Sequence, residues 1–262
     1  MRIEVNGADV FAYTGSRSVD ADKPTVVFVH GAANDHSTWA LQSRYFAYHG
    51  FNVLAVDLPA HGRSGGAALP SIEAIADWIA SLLDAACVAR AAIVGHSMGS
   101  LATLACAARH PDRVTKVALL GPAAPMLVTD NLLAAARADD HLAYEMIDGW
   151  SFSAARQLGG NRVPGIWMTG NAMRLMERTA PGVLYTDLVA CQTYTTGLAD
   201  AATVRCPTLV IMGARDLMTP VNGAQGLLAA LADKRTLTLP GTGHAMMAEE
   251  PDAVLDALRG FL

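Results

Sequence analysis

The sequence predicts an α/β fold: a mostly parallel central sheet flanked by helices, with a helical segment inserted late in the chain. Three observations carry this. Short runs rich in Val, Ile and Leu recur with almost no polar alternation, as strands covered on both faces require. Helical patterns lie between them, and strand–helix alternation builds parallel sheets with right-handed crossovers. The alternation stops after Gly121 and resumes at Cys206-Pro207-Thr208.

Each element has its own signal. Arg2–Val5 and Val10–Tyr13 read as an opening hairpin around Asn6-Gly7, a strong turn dipeptide. The buried strands are Thr25–His30 (TVVFVH), Asn52–Asp57 (NVLAVD), Ala92–Gly95 (AIVG), Lys116–Gly121 (KVALLG), Thr208–Gly213 (TLVIMG) and Arg235–Leu239 (RTLTL). A helix over Ile72–Cys87 places Ile72, Ile75, Ile79 and Leu83 on one stripe, with Ser71 as its N-cap. Met98–Arg109 is dense in Ala and Leu and stops before Pro111. Asn222–Leu231 and Asp252–Leu262 supply later helices, the second with Pro251 at its start. Pro122–Arg205 holds Met-rich and Ala-rich helical patches, punctuated by Gly159, Gly160, Pro164, Gly165, Pro181 and Gly182. The expected organisation is a core of residues 1–121 and 206–262 with an inserted segment, 122–205.

Composition excludes several classes. Of 262 residues 52% are hydrophobic and 16% charged, which suits a large core and not a disordered chain. The net charge is −5 and no Lys/Arg block interrupts it, so neither nucleic acid nor an anionic membrane is an expected partner. Mean hydropathy is +0.27, yet Asp84 and Arg90 break one apolar stretch and Gly121, Pro122 and Pro125 another, so no clean bilayer helix is expected. The start, MRIEVNGADV, lacks the apolar core of a secretory signal. Cys87, Cys106, Cys191 and Cys206 are dispersed without a C-x-x-C and read as small core residues of a reducing, cytoplasmic compartment. No carboxylate–His spacing suggests a metal, and no G-x-G-x-x-G follows a strand.

The sharpest chemical signal is Gly95-His96-Ser97-Met98-Gly99, between a strand and a helix. That context is what a nucleophile elbow needs: a tight turn lifts the Ser hydroxyl above the sheet edge, and the helix N-terminus behind it faces developing negative charge. A serine needs a base. His244, in Leu239-Pro-Gly-Thr-Gly-His244, follows the last strand, where α/β sites assemble. The imidazole needs an orienting carboxylate, and Asp216 stands just past the TLVIMG strand. His30, His61 and His96 read as structural residues of their turns. His36, His49, His110 and His141 read as surface or capping residues, and Asp57 as serving its own turn.

The order Ser97…Asp216…His244, with separations of 119 and 28 residues, resembles the α/β-hydrolase superfamily over the whole chain. His30-Gly31-Ala32-Ala33 after one strand and Asp57-Leu-Pro-Ala-His61-Gly62-Arg63-Ser64 after the next also match. The resemblance implies an oxyanion hole made by the Ala32 and Met98 amides, with Ala33 as the alternative to Ala32. It also implies that residues 122–205 form a lid over the nucleophile. Among the lid's Met and aromatic residues, Trp150, Trp167 and Met173 are the expected substrate contacts.

The expected activity is that of a serine hydrolase. It would cleave a small, largely apolar carboxylic ester or lactone through an acyl-enzyme, with no cofactor. C–C bond hydrolysis of an aromatic meta-cleavage product is the second enzyme class, although no anchor for its carboxylate is apparent. Amide, thioester and perhydrolysis chemistry stay open, as does a ligand sensor on the same scaffold. Relatives that cleave carbon–halogen bonds or epoxides use Asp where this chain has Ser97.

Overall fold

The computed structural model describes residues 1–262. Its eight strands are β1 (Arg2–Val5), β2 (Ala8–Tyr13), β3 (Thr25–Val29), β4 (Asn52–Val56), β5 (Ala91–His96), β6 (Val114–Leu120), β7 (Thr208–Gly213) and β8 (Lys234–Leu239). They form one sheet in the order β1-β2-β4-β3-β5-β6-β7-β8. β1 and β2 run antiparallel, as do β2 and β4, and every other pair is parallel. The opening hairpin turns at Asn6 and Gly7, both at positive φ (51° and 79°), as a tight primed turn demands.

The helices are α1 (Ala40–Tyr48), α2 (Ile72–Ala85), α3 (Met98–Arg109), α4 (Asp130–Arg137), α5 (Leu142–Ser151), α6 (Ala154–Gln157), α7 (Met168–Met176), α8 (Val183–Thr193), α9 (Gly197–Thr203), α10 (Gln225–Ala230), α11 (Met246–Glu249) and α12 (Pro251–Arg259). Alternation along each strand sorts side chains onto two faces. Val27, Val29, Ile93, Val210 and Met212 join α2, α3 and α10 in the larger core. Val26, Phe28, Val94, Leu209 and Ile211 join α1, α11 and α12 in the other. Helices therefore cover both faces of β3, β4, β5 and β7, which is why those strands lack a polar side, whereas β8, expected among the buried strands, is an edge strand exposed at Lys234, Arg235, Thr236 and Thr238.

Residues between β6 and β7 are all helix and loop, α4 to α9. Four of these helices share a cluster of their own, in which Leu132, Ile147, Met176, Leu184 and Leu188 pack with Ala33 of the loop after β3. α2 begins where Ser71 accepts the Ala74 amide, but ends at Ala85, because Cys87 takes a left-handed φ of 54°. The helix expected over 222–231 divides into a 3-10 turn, Val221–Ala224, and α10. The C-terminal helix stops at Arg259 in a tight turn from Phe261 N–H to Leu258 O. Cys106 and Cys191 are buried and Cys206 is half-buried, whereas Cys87 is exposed, against the expectation of a core residue. No helix is long and apolar enough to cross a membrane.

Candidate active site

The elbow is built by contact between backbones. Ser97 sits between β5 and α3 at φ 54° and ψ −121°, a strained conformation for a residue with a side chain. The flanking glycines let the chain reach it. A Cβ on Gly95 would lie 2.1 Å from Gly99 O, and one on Gly99 would lie 2.4 Å from Val29 O. The helix is thus pressed against β3's end and β5 at once, which only glycine at both positions permits. Ser97 N–H donates to Leu120 O (2.9 Å), tying the elbow to β6.

His244 and Asp216 meet beside it. His244 Nδ1 lies 2.8 Å from Asp216 Oδ2, with both side chains almost fully buried. Asp216 is fixed by the loop after β7: its Oδ1 accepts the Met218 and Thr219 amides, each at 2.8 Å, and its Oδ2 accepts the Thr219 hydroxyl at 2.8 Å. Burial alone would raise the Asp216 pKa. The neighbouring His244 and the donated hydrogen bonds outweigh it and hold the carboxyl below its ordinary value. Ser97 and His244 both line one cavity of about 570 Å³.

His96 is a supporting group. Its Nε2 donates to His244 O (3.0 Å) and its ring lies 4.6 Å from the His244 ring. Burial, with His244 adding to it, pushes the His96 pKa down to about 3, so the ring stays neutral and keeps a proton for that bond. His244's loop is also clamped from below. Buried Glu249 accepts the Gly243 amide (2.9 Å) and the Ser153 hydroxyl (2.6 Å), and Ala245 N–H donates to Ser151 O (2.9 Å). The His244 loop is therefore bonded directly to the end of α5.

The loop after β3 lies against the elbow: a Cβ on Gly31 would come within 3.2 Å of Ser97 Cβ. His30 holds this loop, Nδ1 donating to Gly31 O and Nε2 accepting Leu58 N–H, as a structural histidine should. Ala33 N–H donates to Asp187 Oδ2 (2.9 Å), and Asn34 N–H to Gly31 O (3.3 Å). Ala32 N–H has no partner within the protein. Met98 is the first residue of α3, whose amide has no acceptor in its own helix. Of the two amides weighed from sequence, the free one is Ala32.

Asp187 escaped the sequence reading. It lies on α8, 2% exposed, and its Oδ2 also meets His61 Nε2 at 2.9 Å. His61 does bond within its turn, donating Nδ1–H to Pro59 O, but it also reaches the inserted helices. Burial works to lower the His61 pKa, and Asp187's charge and hydrogen bond overcome it, raising the value. The available signal was one Asp inside the apolar run VLYTDLVACQT. Asp35 and His36 also cluster with Asp57, whose distance along the chain hid the group. Asp57 accepts the His36 and Arg63 amides there, and so does serve its turn.

More than half of the cavity lining comes from residues 122–205. Trp150 lines it, with Met126, Ile147, Phe152 and Met168. Trp167 and Met173 do not. α7 faces the cavity with Met168, Asn171, Ala172, Leu175 and Met176, at helical spacing, and Met173 falls on its other side. Trp167 precedes the helix, packs its ring against Gly170 and is 74% exposed.

A model of the alpha/beta hydrolase family matches residues 26–257. A pimeloyl-[acyl-carrier protein] methyl ester esterase from Chromobacterium violaceum is 33% identical over 242 residues, covering 88% of this chain and 91% of that protein. An (E)-2-((N-methylformamido)methylene)succinate hydrolase from Acinetobacter baylyi is 24% identical over 90% of this chain and 89% of its own. The crystal structure of the enol-lactonase from Burkholderia xenovorans LB400 superposes with a TM-score of 0.88 at 27% identity, covering 100% of this chain and 99% of that one. With its matched span running from β3 into α12, the chain belongs to the α/β-hydrolase family.

Proposed function

We propose that the protein is a serine hydrolase that cleaves small, largely apolar carboxylic esters or lactones through an acyl-enzyme. The observation that carries this is the pairing of a strained Ser97 elbow with the buried His244–Asp216 couple on one cavity wall. Ser97 Oγ attacks the carbonyl carbon while His244 Nε2 takes its proton. Asp216 keeps the other imidazole proton on Nδ1 and balances the cation that forms. The oxyanion is received by the amides of Ala32 and Met98, fixed donors that need no reorganisation. His244 then protonates the leaving alcohol, activates water against the acyl-enzyme, and returns its proton when the acid leaves.

In this reading residues 122–205 are the lid, and its apolar lining seats the acyl or alcohol chain. The similar proteins are named for a methyl ester, an enamide-bearing succinate and an enol-lactone, so the reaction class transfers more readily than the substrate. The lining includes no Lys or Arg, which weighs against a substrate held by its carboxylate, and so against the meta-cleavage reading. Hydrolysis of a panel of C2–C8 esters and of γ- and δ-lactones, abolished by Ser97→Ala, is the expected result. A panel that this variant hydrolyses as fast as wild type would refute the proposal.

A further inference from the structure

One lining residue does not fit a purely apolar pocket. Half-buried Asp148, on α5 between Ile147 and Trp150, lines the cavity; its Oδ1 is buried with no hydrogen-bond partner, and its Oδ2, also without a partner in the protein, is the oxygen that an occupant can reach. The buried carboxylates near the site have their donors: Asp187 has Ala33 and His61, Glu249 has Ser153 and Gly243, and Asp216 has Thr219, Met218 and His244. The other titratable groups on the lining are His96, Cys191 and His244, and none of them bonds to Asp148. An occupant of the cavity would cover a carboxylate that the protein leaves without a donor, and an occupant that brings no donor of its own would bury it unpaired, which is costly.

We infer that Asp148 is a specificity residue that accepts a hydrogen bond from the substrate, so that the preferred ester or lactone carries a donor (hydroxyl, amide N–H or ammonium) on the portion seated beside α5. This rests on the hydrolase reading and narrows its substrate class. Burial pushes the Asp148 carboxyl up to about 6, with no cation nearby to offset it, so near neutral pH it is mostly an acceptor without a counter-charge. A substrate carboxylate at the same place would meet a like charge in an apolar surround and be rejected. A hydrogen bond to a charged group is worth roughly 10–100-fold in affinity when its partner is removed.

The test separates binding from turnover. Hexylammonium, hexan-1-ol and hexanoate are titrated calorimetrically into wild type and Asp148→Asn at pH 7.5. The wild type is expected to bind hexylammonium and hexan-1-ol at least tenfold more tightly than hexanoate, and Asp148→Asn to lose most of that preference. In parallel, kcat/KM is compared for p-nitrophenyl 6-hydroxyhexanoate and hexanoate. The ratio of the two is expected to fall about tenfold in the variant. Asp148→Ser, with no charge and a smaller side chain, should show the same loss of preference if Asp148→Asn folds poorly. Equal preference in wild type and variants overturns the inference. Predicted binding order without ester turnover would sink the hydrolase reading and leave Asp148's role standing.

Discussion

Replacing Asp216 by Asn tests the couple with the least disturbance of shape. Oδ1 accepts two backbone amides at 2.8 Å, and neither donor can turn. The Asn carbonyl must therefore take that position, which leaves its NH₂ facing His244 Nδ1, 2.8 Å away in the native pair, and the Thr219 hydroxyl. A donor there forces His244 to carry its proton on Nε2, the atom that takes the proton of Ser97 in the proposed mechanism. The negative charge opposite the His244 imidazolium is lost as well. The same change in a protease triad costs about 10⁴ in kcat, or about 5.5 kcal/mol of transition-state stabilisation. Steady-state hydrolysis of p-nitrophenyl butanoate is the assay, with thermal unfolding as the control. The expected outcome is a kcat lower by about 10⁴ with KM changed only a few-fold. Asp216's lowered pKa adds stability that is present above the ordinary 3.8 and lost as pH falls through the folded value, so the variant's unfolding should depend less on acid below pH 4. A kcat within tenfold of wild type would refute the reasoning.

Asp187→Ala strips partners from Ala33 N–H and leaves His61 buried and unpaired; breaking a buried pair this way costs about 3–5 kcal/mol, read by urea unfolding. Because His61's pKa is raised in the fold, its contribution is complete below 6.5 and fades as pH rises through the folded value, so the gap between wild type and variant should narrow in alkali. Gly99→Ala drives a Cβ to 2.4 Å from Val29 O, and a midpoint shift at or beyond the upper end of the ~1–3 kcal/mol overpacking range is expected. Across an acetate-to-octanoate ester series, kcat/KM should rise ~3–4-fold per methylene until the cavity fills, from ~0.8 kcal/mol per buried CH₂. Trp150→Ala should flatten that slope, whereas Trp167→Ala, on the outer surface, should not.

The parts legible in sequence are those made by one strand and the loop that follows it. Ser97, Asp216 and His244 each stand just past a strand's C-terminal end, so strand runs and small-residue turns located them without tertiary information. The ordering of α7's faces was not legible. Met168, Met173 and Met176 look equivalent in composition, and only the position of the cavity shows that 168 and 176 face it and 173 does not. Asp187, Glu249 and Asp148 were missed for a related reason: each is one acid in an apolar context, and its partners or its lack of them come from elements far off in sequence. His36 and Asp57 lie 21 residues apart and meet because β3 and β4 are neighbours in the sheet.

The central claim is that Ser97 is the nucleophile, and covalent capture tests it most directly. A fluorophosphonate should add one phosphonyl group per chain. After trypsin the mass shift should appear on Ala91–Arg109, and fragment ions should place it on Ser97 and not on Ser100, the other serine of that peptide. The account predicts that Ser97→Ala removes all labelling and that Asp216→Asn slows it. Labelling of another residue with Ser97 unmodified, or equal labelling of the Ser97→Ala variant, would contradict it.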